Sequence, residues 1–352
     1  MPRRLVRLRH VRLRLPRWRR AGDQPRVGAD GVCQGAALSR QASGGSRILV
    51  AGSINMDIVS RVARFPEPGE TISGRGTSYH AGGKGANQAA AAAKAGAACS
   101  MLGAVGGDPF GDALVASLED AGVGVQSVLT KDGTSGLAII TVNEGGENHI
   151  VLSAGANGLL TAEDALAEAD WRGVYAVLLQ NEIPWETNEA LIRSAGEAGV
   201  RVWLNPAPAR EVSAELLPLL DTIIVNETEA AAVSGLPVPD RAGAEAAAAA
   251  LLARGARRVV VTLGEQGCLC ADAAGERLSV PAYAVEAVDT TAAGDTFIGA
   301  FAAASAAGTD TEAALRFAAA AAAIAVTRPG AQGSIPSRDE IEAFLARERA
   351  SL

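Results

Sequence analysis

Asp295 follows two alanines and a glycine, and it precedes an apolar run that extends from Phe297 to Ala307. A loop of small residues that leads into a helix leaves backbone N–H groups free at the positive end of the helix dipole, and such a site favours an anion. A carboxylate at this place would repel a phosphate group. It makes sense where it accepts the proton of a hydroxyl group that attacks the phosphate. The alternative is that Asp295 only caps the helix.

The segment His80–Asn87 holds three glycines and a lysine ahead of a predicted helix. It is not a P-loop, because Gly85 stands where the magnesium-binding Ser or Thr is needed and the four-residue spacer from an earlier glycine is missing. It is not a Gly-x-Gly-x-x-Gly motif either, so a dinucleotide-binding dehydrogenase loses its main support. Glycines let the backbone approach a compact polyol closely, and Asn87 can both donate and accept hydrogen bonds. The alternative is a glycine-rich helix entry that binds no ligand.

Asn226 and Glu229 follow a predicted strand that ends at Val225, and their spacing puts both on the same side of a starting helix. Hard oxygen ligands at this place suit Mg²⁺, which keeps much of its water shell and meets the phosphates. An ordinary helix cap is the alternative. The segment Thr262–Gly267 closes the next predicted strand with two glycines, which fits either a nucleotide-binding ledge or a plain turn.

Apolar runs predict the strands that must position these segments. Ile48–Ile54 ends at polar residues, as a buried strand does when it delivers functional side chains at its C-terminal end. Further strands are predicted at Val174–Leu179, Val200–Leu204, Thr222–Val225 and Val259–Thr262, with helices such as Trp185–Ala198 and Ala242–Arg254 between them. This alternation predicts right-handed βαβ units, a buried parallel sheet, and function at the carboxyl ends of its strands.

Two stretches predict more exposed β-structure, Asp57–Tyr79 and Ser135–Ser153. Between them the sequence predicts a helix over Gly83–Ala97, a glycine-rich loop over Gly103–Gly111 and a second helix that ends near Ala121.

Charge divides the chain into two parts. Residues 1–47 hold twelve Arg, no Lys and two acids, a formal charge of +10, whereas the remainder carries −17. A body this acidic does not attract nucleic acid by itself. The Arg-rich segment lacks the apolar stretch of a secretory signal. We predict that residues 1–46 form a disordered extension, with an organellar transit segment or a nucleic-acid- or partner-binding arm as alternatives.

The four cysteines, Cys33, Cys99, Cys268 and Cys270, form no CxxC pair. We interpret them as small buried apolar residues in a reducing, cytoplasmic compartment. The longest uncharged stretch, Thr296–Thr309, has 14 residues and predicts no membrane span.

Two segments are similar to the signatures of the ribokinase/phosphofructokinase-B family of sugar kinases, namely Gly82–Ala89 and Asp289–Phe297. Three others resemble the ribokinases of that family rather than its fructokinases or adenosine kinases: Gly52–Asp57, Asn205–Arg210 and Ala325–Gln332. The resemblance covers about residues 47 to 345. It implies an α/β fold, with a three-layer α/β/α domain over residues 47–352, a mostly parallel central sheet, and a small β-sheet lid formed by about 57–79 and 134–154.

The resemblance further implies ATP-dependent phosphorylation of D-ribose at its 5-hydroxyl group. Asp295 would be the base, and the backbone of Ala292, Ala293 and Gly294 would form the anion hole. The residues implied to hold ribose are Asn55, Met56, Asp57, Gly83, Lys84, Gly85, Ala86, Asn87, Glu182 and Asp295.

The resemblance also implies contacts with ATP and with cations. Those with ATP would be made by Asn226, Thr262, Leu263, Gly264, Glu265, Gln266, Gly267, Gly294, Asp295 and Ala319. Glu229 would lie near Mg²⁺. A monovalent cation, usually K⁺, would be held mostly by main-chain oxygens of Asp289, Thr291, Ala325, Arg328, Gly330 and Ser334. Some relatives carry a polar residue at the position of Ala319, beside the adenine, so the base preference stays open.

A homodimer formed through the lid is implied as well, without nucleic-acid or membrane partners. Two other functions remain as alternatives: another sugar or nucleoside kinase of the same family, and a non-catalytic sugar-binding regulator. Asp57 and Glu182 favour a small polyol over a nucleoside, because both accept hydrogen bonds from hydroxyl groups. The presence of Asp295 argues against the regulator.

Overall fold

The apolar runs of the sequence become the central strands of a ten-stranded sheet in a computed structural model, which describes residues 19–20 and 46–350. The strands are β1 (Arg19–Arg20), β2 (Arg47–Ala51), β3 (Asn55–Arg61), β4 (Gly76–Gly82), β5 (Cys99–Gly106), β6 (Val123–Lys131), β7 (Gly136–Val142), β8 (Asn148–Ser153), β9 (Val174–Gln180), β10 (Arg201–Asn205), β11 (Thr222–Val225), β12 (Arg258–Thr262), β13 (Cys268–Asp272) and β14 (Arg277–Val280). The helices are α1 (Lys84–Lys94), α2 (Pro109–Asp120), α3 (Ala162–Glu168), α4 (Trp185–Glu197), α5 (Glu227–Ser234), α6 (Arg241–Ala253), α7 (Ala293–Ala306), α8 (Thr311–Val326) and α9 (Arg338–Ala350).

The large sheet has the strand order β1-β14-β13-β12-β11-β10-β9-β2-β5-β6. Its pairings are parallel except for the two made by β13. Alternate residues of β2 face opposite cores: Ile48 and Val50 pack with the cluster that contains α1, α7 and α8, whereas Leu49 and Ala51 pack with the cluster that contains α4 and α6. The predicted three-layer α/β/α architecture is therefore confirmed.

A second sheet has the order β4-β3-β7-β8, with β3 parallel to β7 and antiparallel to β4. It is built from the two stretches that the sequence marks as exposed β-structure, and β8 is exposed along its whole length. Since β3 begins at Asn55, only a few residues after β2 ends, the small sheet is joined directly to the carboxyl end of a central strand.

The glycine-rich stretch Gly103–Gly111 was predicted as a loop, and this prediction is wrong for its first half. β5 continues to Gly106. The glycines serve close packing in the strand, because a Cβ atom at position 103 would lie 2.9 Å from the carbonyl oxygen of Gly52. Asp108 then ends the connection by capping α2, where its carboxylate accepts a hydrogen bond from the Gly111 N–H (2.8 Å).

Cys99, Cys268 and Cys270 are buried, and burial raises the pKa of each thiol to about 12, which fits their interpretation as apolar core residues. Cys33 lies outside the described residues. So does most of the predicted disordered segment 1–46, from which the structure describes Arg19–Arg20, paired in parallel with Leu278 and Ser279, and residue 46. In the described part of the chain, every helix is too short or too polar to cross a membrane.

Candidate active site

Asp295 lies in the first turn of α7 and is 7 % exposed. Two consecutive side chains of α1 hold its carboxylate. The Asn87 Nδ2 donates to Oδ2 (3.1 Å), and the Gln88 Nε2 donates to Oδ1 (2.9 Å). Asn87 was predicted from the sequence, whereas Gln88 was given no role. The signal in the sequence was a second amide side chain directly after Asn87, followed by a run of five alanines.

Burial is the main influence on Asp295 and raises its pKa, while Lys84 and the two amide donors act to lower it. The carboxylate is thus buried and held by fixed hydrogen-bond donors. A base in such a setting keeps one geometry, because its hydrogen bonds are made before any substrate enters.

The loop before α7 is strained. Ala292 is the N-cap of α7 and has φ 58°, the only positive φ of a non-glycine residue in residues 46–350. Such a conformation costs about 1–2 kcal/mol and often occurs at functional sites. The Ala293 N–H donates to the Thr290 carbonyl (3.2 Å), so this member of the predicted anion hole is engaged within its own loop. A Cβ atom at Gly294 would meet nothing within 4 Å, so the space in front of it is open.

The glycines of the second motif allow α1 to begin against the end of β2. A Cβ atom at position 85 would lie 2.7 Å from the Ser53 nitrogen, and Gly83 has φ 89°. The close approach is completed by the hydrogen bond from the Ala86 N–H to the Ser53 carbonyl (2.9 Å). Gly85 and Ala86 are buried and contribute backbone to this contact. The two predicted sugar-binding segments, 55–57 and 83–87, are thereby brought together.

Three carboxylates surround the start of α1. Glu182, in the turn after β9, accepts hydrogen bonds from the Ser53 hydroxyl (2.5 Å) and the Lys84 N–H (3.2 Å). Ser53 was not singled out from the sequence. Asp57 is almost fully buried, and burial, then Glu182 and Asp295, raise its pKa to about 7. Lys84 is the cation among them: burial acts to lower its pKa, but Asp295 and Glu182 outweigh it, so the pKa is raised.

A cavity of about 280 Å³ opens between the small sheet and the body. Glu182 lines it from the body, whereas Asn55 and Leu152 line it from the small sheet. Asn157 also faces it and fixes Asn55, because the Asn157 Nδ2 donates to the Asn55 Oδ1 (2.7 Å). Asn157 was missed from the sequence, where nothing distinguishes it from other loop residues. Met56, by contrast, points its side chain into the core.

Asn226 and Glu229 form a capping box at the start of α5. The Asn226 Oδ1 accepts from the Glu229 N–H (2.8 Å), and the Glu229 Oε2 accepts from the Asn226 N–H (3.0 Å). This is the capping arrangement weighed from the sequence. The Glu229 Oε2 also accepts from the Asn205 Nδ2 (3.2 Å). Burial raises the pKa of Glu229.

The segment Thr262–Gly267 follows β12, and the Thr262 hydroxyl donates to the Val225 carbonyl (3.4 Å), so the carboxyl ends of β11 and β12 adjoin. Gly264 to Gln266 form a 3₁₀ turn, and Leu263 is buried in the core. Ala319 lies half-buried on α8. The described contacts connect neither Ala319 nor the segment 263–267 with Asp295.

The predicted monovalent-cation residues lie on two loops that Asp289 joins. The Asp289 Oδ1 accepts from the Thr291 N–H (2.9 Å), and its Oδ2 accepts from the Gly330 N–H (2.9 Å). Arg328 pairs with Glu340 on α9 (2.5 Å), and the Ser334 hydroxyl donates to the Ala331 carbonyl (2.7 Å). The loop that leads into α7 is therefore tied to the loop that follows α8, where Ala325 lies in the last turn.

Residues 46–338 match the family described as pfkB family carbohydrate kinase. A ribokinase of Haemophilus influenzae is 40 % identical over 305 residues, which cover 85 % of this chain and 98 % of that protein. A ribokinase of Schizosaccharomyces pombe is 43 % identical over 84 % of this chain and 96 % of its own.

Solved structures of ribokinases are also similar to this chain. The crystal structure of Thermotoga maritima ribokinase has 40 % sequence identity and a TM-score of 0.77, covering 85 % of this chain and 99 % of that chain. Arabidopsis thaliana ribokinase complexed with ribose and ATP has 35 % sequence identity and a TM-score of 0.80, and the match covers 85 % of this chain and 98 % of that chain. With its Asp295 loop, its glycine-rich helix entry and its small second sheet in the arrangement described above, the chain belongs to the pfkB family of carbohydrate kinases.

Proposed function

We propose that the protein transfers the γ-phosphoryl group of ATP to the 5-hydroxyl group of D-ribose. The observation that carries the proposal is Asp295, a buried carboxylate in the first turn of α7 beside the open backbone at Gly294. The similarity to ribokinases of two kingdoms, over nearly their full length, supports ribose as the acceptor.

Ribose is held in the cavity beside Asn55 and Glu182 and reaches from there towards the start of α1, where the Lys84 N–H contacts Glu182. Asn87 supports this placement, because its Oδ1 is buried and has no hydrogen-bond partner among the described residues. A buried acceptor without a partner costs about 1–3 kcal/mol, and a sugar hydroxyl would satisfy it. Asp57 and Glu182 accept hydrogen bonds from further hydroxyl groups of the sugar, and the backbone of Gly83 and the Lys84 side chain complete the site.

Asp295 then accepts the proton of the 5-hydroxyl group as that oxygen attacks the γ-phosphorus and the bond to the ADP oxygen breaks. The backbone N–H groups of the loop 292–294, at the start of α7, stabilise the charge of the transferred group. For Ala293 to take part, its N–H must release the Thr290 carbonyl and donate to an oxygen of the phosphoryl group instead. The hydrogen bond it gives up is a long one, at 3.2 Å.

ATP binds along the carboxyl ends of β11 and β12, with Asn226 and the turn Thr262–Gly267 at its phosphates and Ala319 beside its base. The adjoining ends of these two strands support a continuous nucleotide surface.

Two cations accompany the reaction in this proposal. Within residues 46–350 no group of three or more His, Cys, Asp or Glu side chains could hold a metal ion. Glu229 still fits Mg²⁺, which commonly binds through one carboxylate, waters and substrate phosphates, and which would neutralise phosphate charge. The main-chain oxygens of the two loops joined by Asp289 fit K⁺, because the Asp289–Gly330 hydrogen bond brings those loops side by side.

We also propose a cytoplasmic homodimer formed through the small sheet, without nucleic-acid or membrane partners. Ile150 and Leu152 are half exposed on one face of that sheet, and Tyr79 and Val151 are more exposed on the other. Apolar surface on both faces favours burial against a second copy. Light scattering should give twice the chain mass, and Ile150→Asp should give monomers; a monomeric wild-type protein would contradict the dimer.

A coupled assay of ADP release tests the function over D-ribose, 2-deoxy-D-ribose, D-fructose and adenosine. 2-Deoxyribose belongs in the panel because a deoxyribokinase of Salmonella typhi is 38 % identical over 85 % of this chain. We expect the highest kcat/KM with D-ribose, and only background release from Asp295→Asn. A higher kcat/KM with any other acceptor would overturn the substrate assignment.

A further inference from the structure

A chain of buried side-chain amides lies behind Asp295. Gln88 on α1 is fully buried, and its Nε2 donates to the Asp295 Oδ1 (2.9 Å) and the Asn205 Oδ1 (3.2 Å). Its Oε1 accepts from the Nε2 of Gln180, at the end of β9 (2.7 Å). Asn205, at the end of β10, continues the chain to Glu229.

The groups at one end of this chain fix the orientation of every amide in it. The Asn205 Nδ2 donates to the Ile224 carbonyl (3.0 Å), which can only accept, and to the Glu229 carboxylate (3.2 Å). Asn205 must therefore present its Oδ1 to Gln88. Gln88 in turn must present its NH₂ group, and both of its protons are used.

This fixed orientation of the amides leaves one acceptor unpaired at the Gln180 end of the chain. Gln180 gives its Nε2 to Gln88, which leaves the Gln180 Oε1 buried and without a hydrogen-bond partner among the described residues. That oxygen lies where a Cβ atom of residue 52 would stand, so Gly52 is needed to admit it. A buried acceptor without a partner is unfavourable. The unpaired Gln180 oxygen is the consequence of an arrangement in which Gln88 directs both of its N–H donors towards Asn205 and Asp295.

We propose that Gln88 is a positioning residue for the base, which occupies Oδ1 of Asp295 with a fixed donor and favours the ionised carboxylate, while Asn205 holds the Gln88 amide in the orientation that this requires. The inference rests on the proposed role of Asp295 as the base. With Oδ1 occupied by Gln88, the Oδ2 atom, which accepts one long hydrogen bond from Asn87, is the oxygen that takes the proton of the substrate.

The charged groups around Asp295 explain why this donor matters. Lys84 on α1 is the cation that faces it, whereas Glu182 after β9, Asp57 on β3 and Glu229 on α5 are like charges. Burial and the like charges favour the protonated form, and Lys84 and the two amides oppose them. Removal of the Gln88 donor therefore raises the pKa of Asp295, so that its carboxyl group stays protonated up to a higher pH.

The test is the pH dependence of kcat at saturating ribose and ATP, compared between the wild type and Gln88→Met. Because kcat reports the complex with bound substrates, its acid limb follows Asp295. A hydrogen bond to a charged group is equivalent to about one pKa unit or more. We expect the acid limb to move up by about one unit, so that kcat falls about tenfold on that limb and recovers at high pH. The KM for ATP should stay within about twofold.

Asn188→Ala is the matched control. Asn188 is a fully buried amide on α4 that donates to the Gln180 carbonyl (2.7 Å) and does not contact Asp295. We expect this variant to melt at a lower temperature with its acid limb unchanged. Gln88→Asn is the second variant if Gln88→Met does not fold. It keeps an amide, but the side chain is one methylene shorter and does not reach Asp295, so its acid limb must show the same shift.

An unmoved acid limb in a folded Gln88 variant overturns the inference, and so does an equal shift in Asn188→Ala. The proposed function fails separately. If Asp295→Asn keeps its kcat, the base assignment is wrong. If Asp295→Asn is inactive while the Gln88 variants keep the wild-type profile, only the role of Gln88 is refuted.

Discussion

Gly299 of α7 lies directly against Gln88 of α1: a Cβ atom at position 299 would stand 2.5 Å from the Gln88 carbonyl oxygen. Asp295 lies one helical turn before Gly299 on the same face of α7. The closeness of the two helices at Gly299 therefore determines whether the amides of Asn87 and Gln88 can reach the Asp295 carboxylate.

Gly299→Ala should loosen this contact. Overpacking a close contact costs about 1–3 kcal/mol, and here the added Cβ would meet backbone atoms, which cannot move aside as a flexible side chain can. We therefore expect a cost above the gain in helix propensity of about 1 kcal/mol that alanine has over glycine. We expect a lower free energy of unfolding in urea and a reduced kcat. Gly196→Ala on α4 is the control, because its Cβ would meet nothing within 4 Å and propensity alone should stabilise it. A Gly299→Ala protein as stable and active as the wild type would show that the helices can separate without cost.

Asp295→Asn should lower kcat by about 10²–10⁴-fold, the usual contribution of a general base, while ribose binding persists. The measurement is steady-state kinetics together with calorimetric titration of ribose. Asp310→Asn, at the N-cap of α8, is the control, since asparagine caps a helix as well as aspartate does. Should the Asp295 variant keep nearly full kcat, as the control is expected to, Asp295 has only a structural role.

Asp57 should make the stability of the protein depend on pH. Its folded-state pKa of about 7 lies above the value of 3.8 expected when unfolded, so between these values the folded protein binds the extra proton. The free energy of unfolding must therefore fall as pH rises from about 4 to 7, by roughly 2–4 kcal/mol for this residue. Asp57→Asn should remove that loss, so that its stability relative to the wild type grows between about pH 4 and 7 in urea titrations. A difference that does not change with pH would refute the raised pKa.

Exchange of K⁺ for Na⁺ at constant ionic strength should reduce kcat. The cation would hold the two loops joined by Asp289 and thereby fix the backbone N–H groups ahead of α7. Asp289→Ala removes the hydrogen bonds to Thr291 and Gly330 and should abolish the difference between the two ions. An enzyme indifferent to the ion would disprove the site.

Removal of residues 1–45 should leave kcat and KM unchanged, because every proposed site residue lies at Asn55 or beyond. The contact described for this segment is the two-residue pairing of β1 with β14 at the sheet edge. Removal of residues 1–17 alone, which keeps Arg19–Arg20, is the comparison. Melting curves should agree within a degree or two for all three proteins, and a large fall only in the longer deletion would mean that β1 stabilises the sheet.

The local features of the site could be read from the sequence because they depend on neighbouring residues. Small residues before an apolar run predict a helix start at Asp295, and α7 begins at Ala293. Apolar runs of strand length predict β9 to β12 within a residue or two. The glycines of 103–111 misled the prediction, since glycine favours loops locally but serves close strand packing here.

The sequence by itself determined which chemical groups the protein has and which short segments present them, because turn preferences and helix starts are set within a few residues. Only the tertiary structure decided which groups meet. The amides of Asn87 and Gln88 reach Asp295 across more than 200 residues because Gly299 lets α7 pack on α1. The pKa of Asp57 and the orientation of Gln88 likewise arise from burial and from partners distant in the chain. Such effects depend on packing in three dimensions, which neither residue type nor spacing specifies.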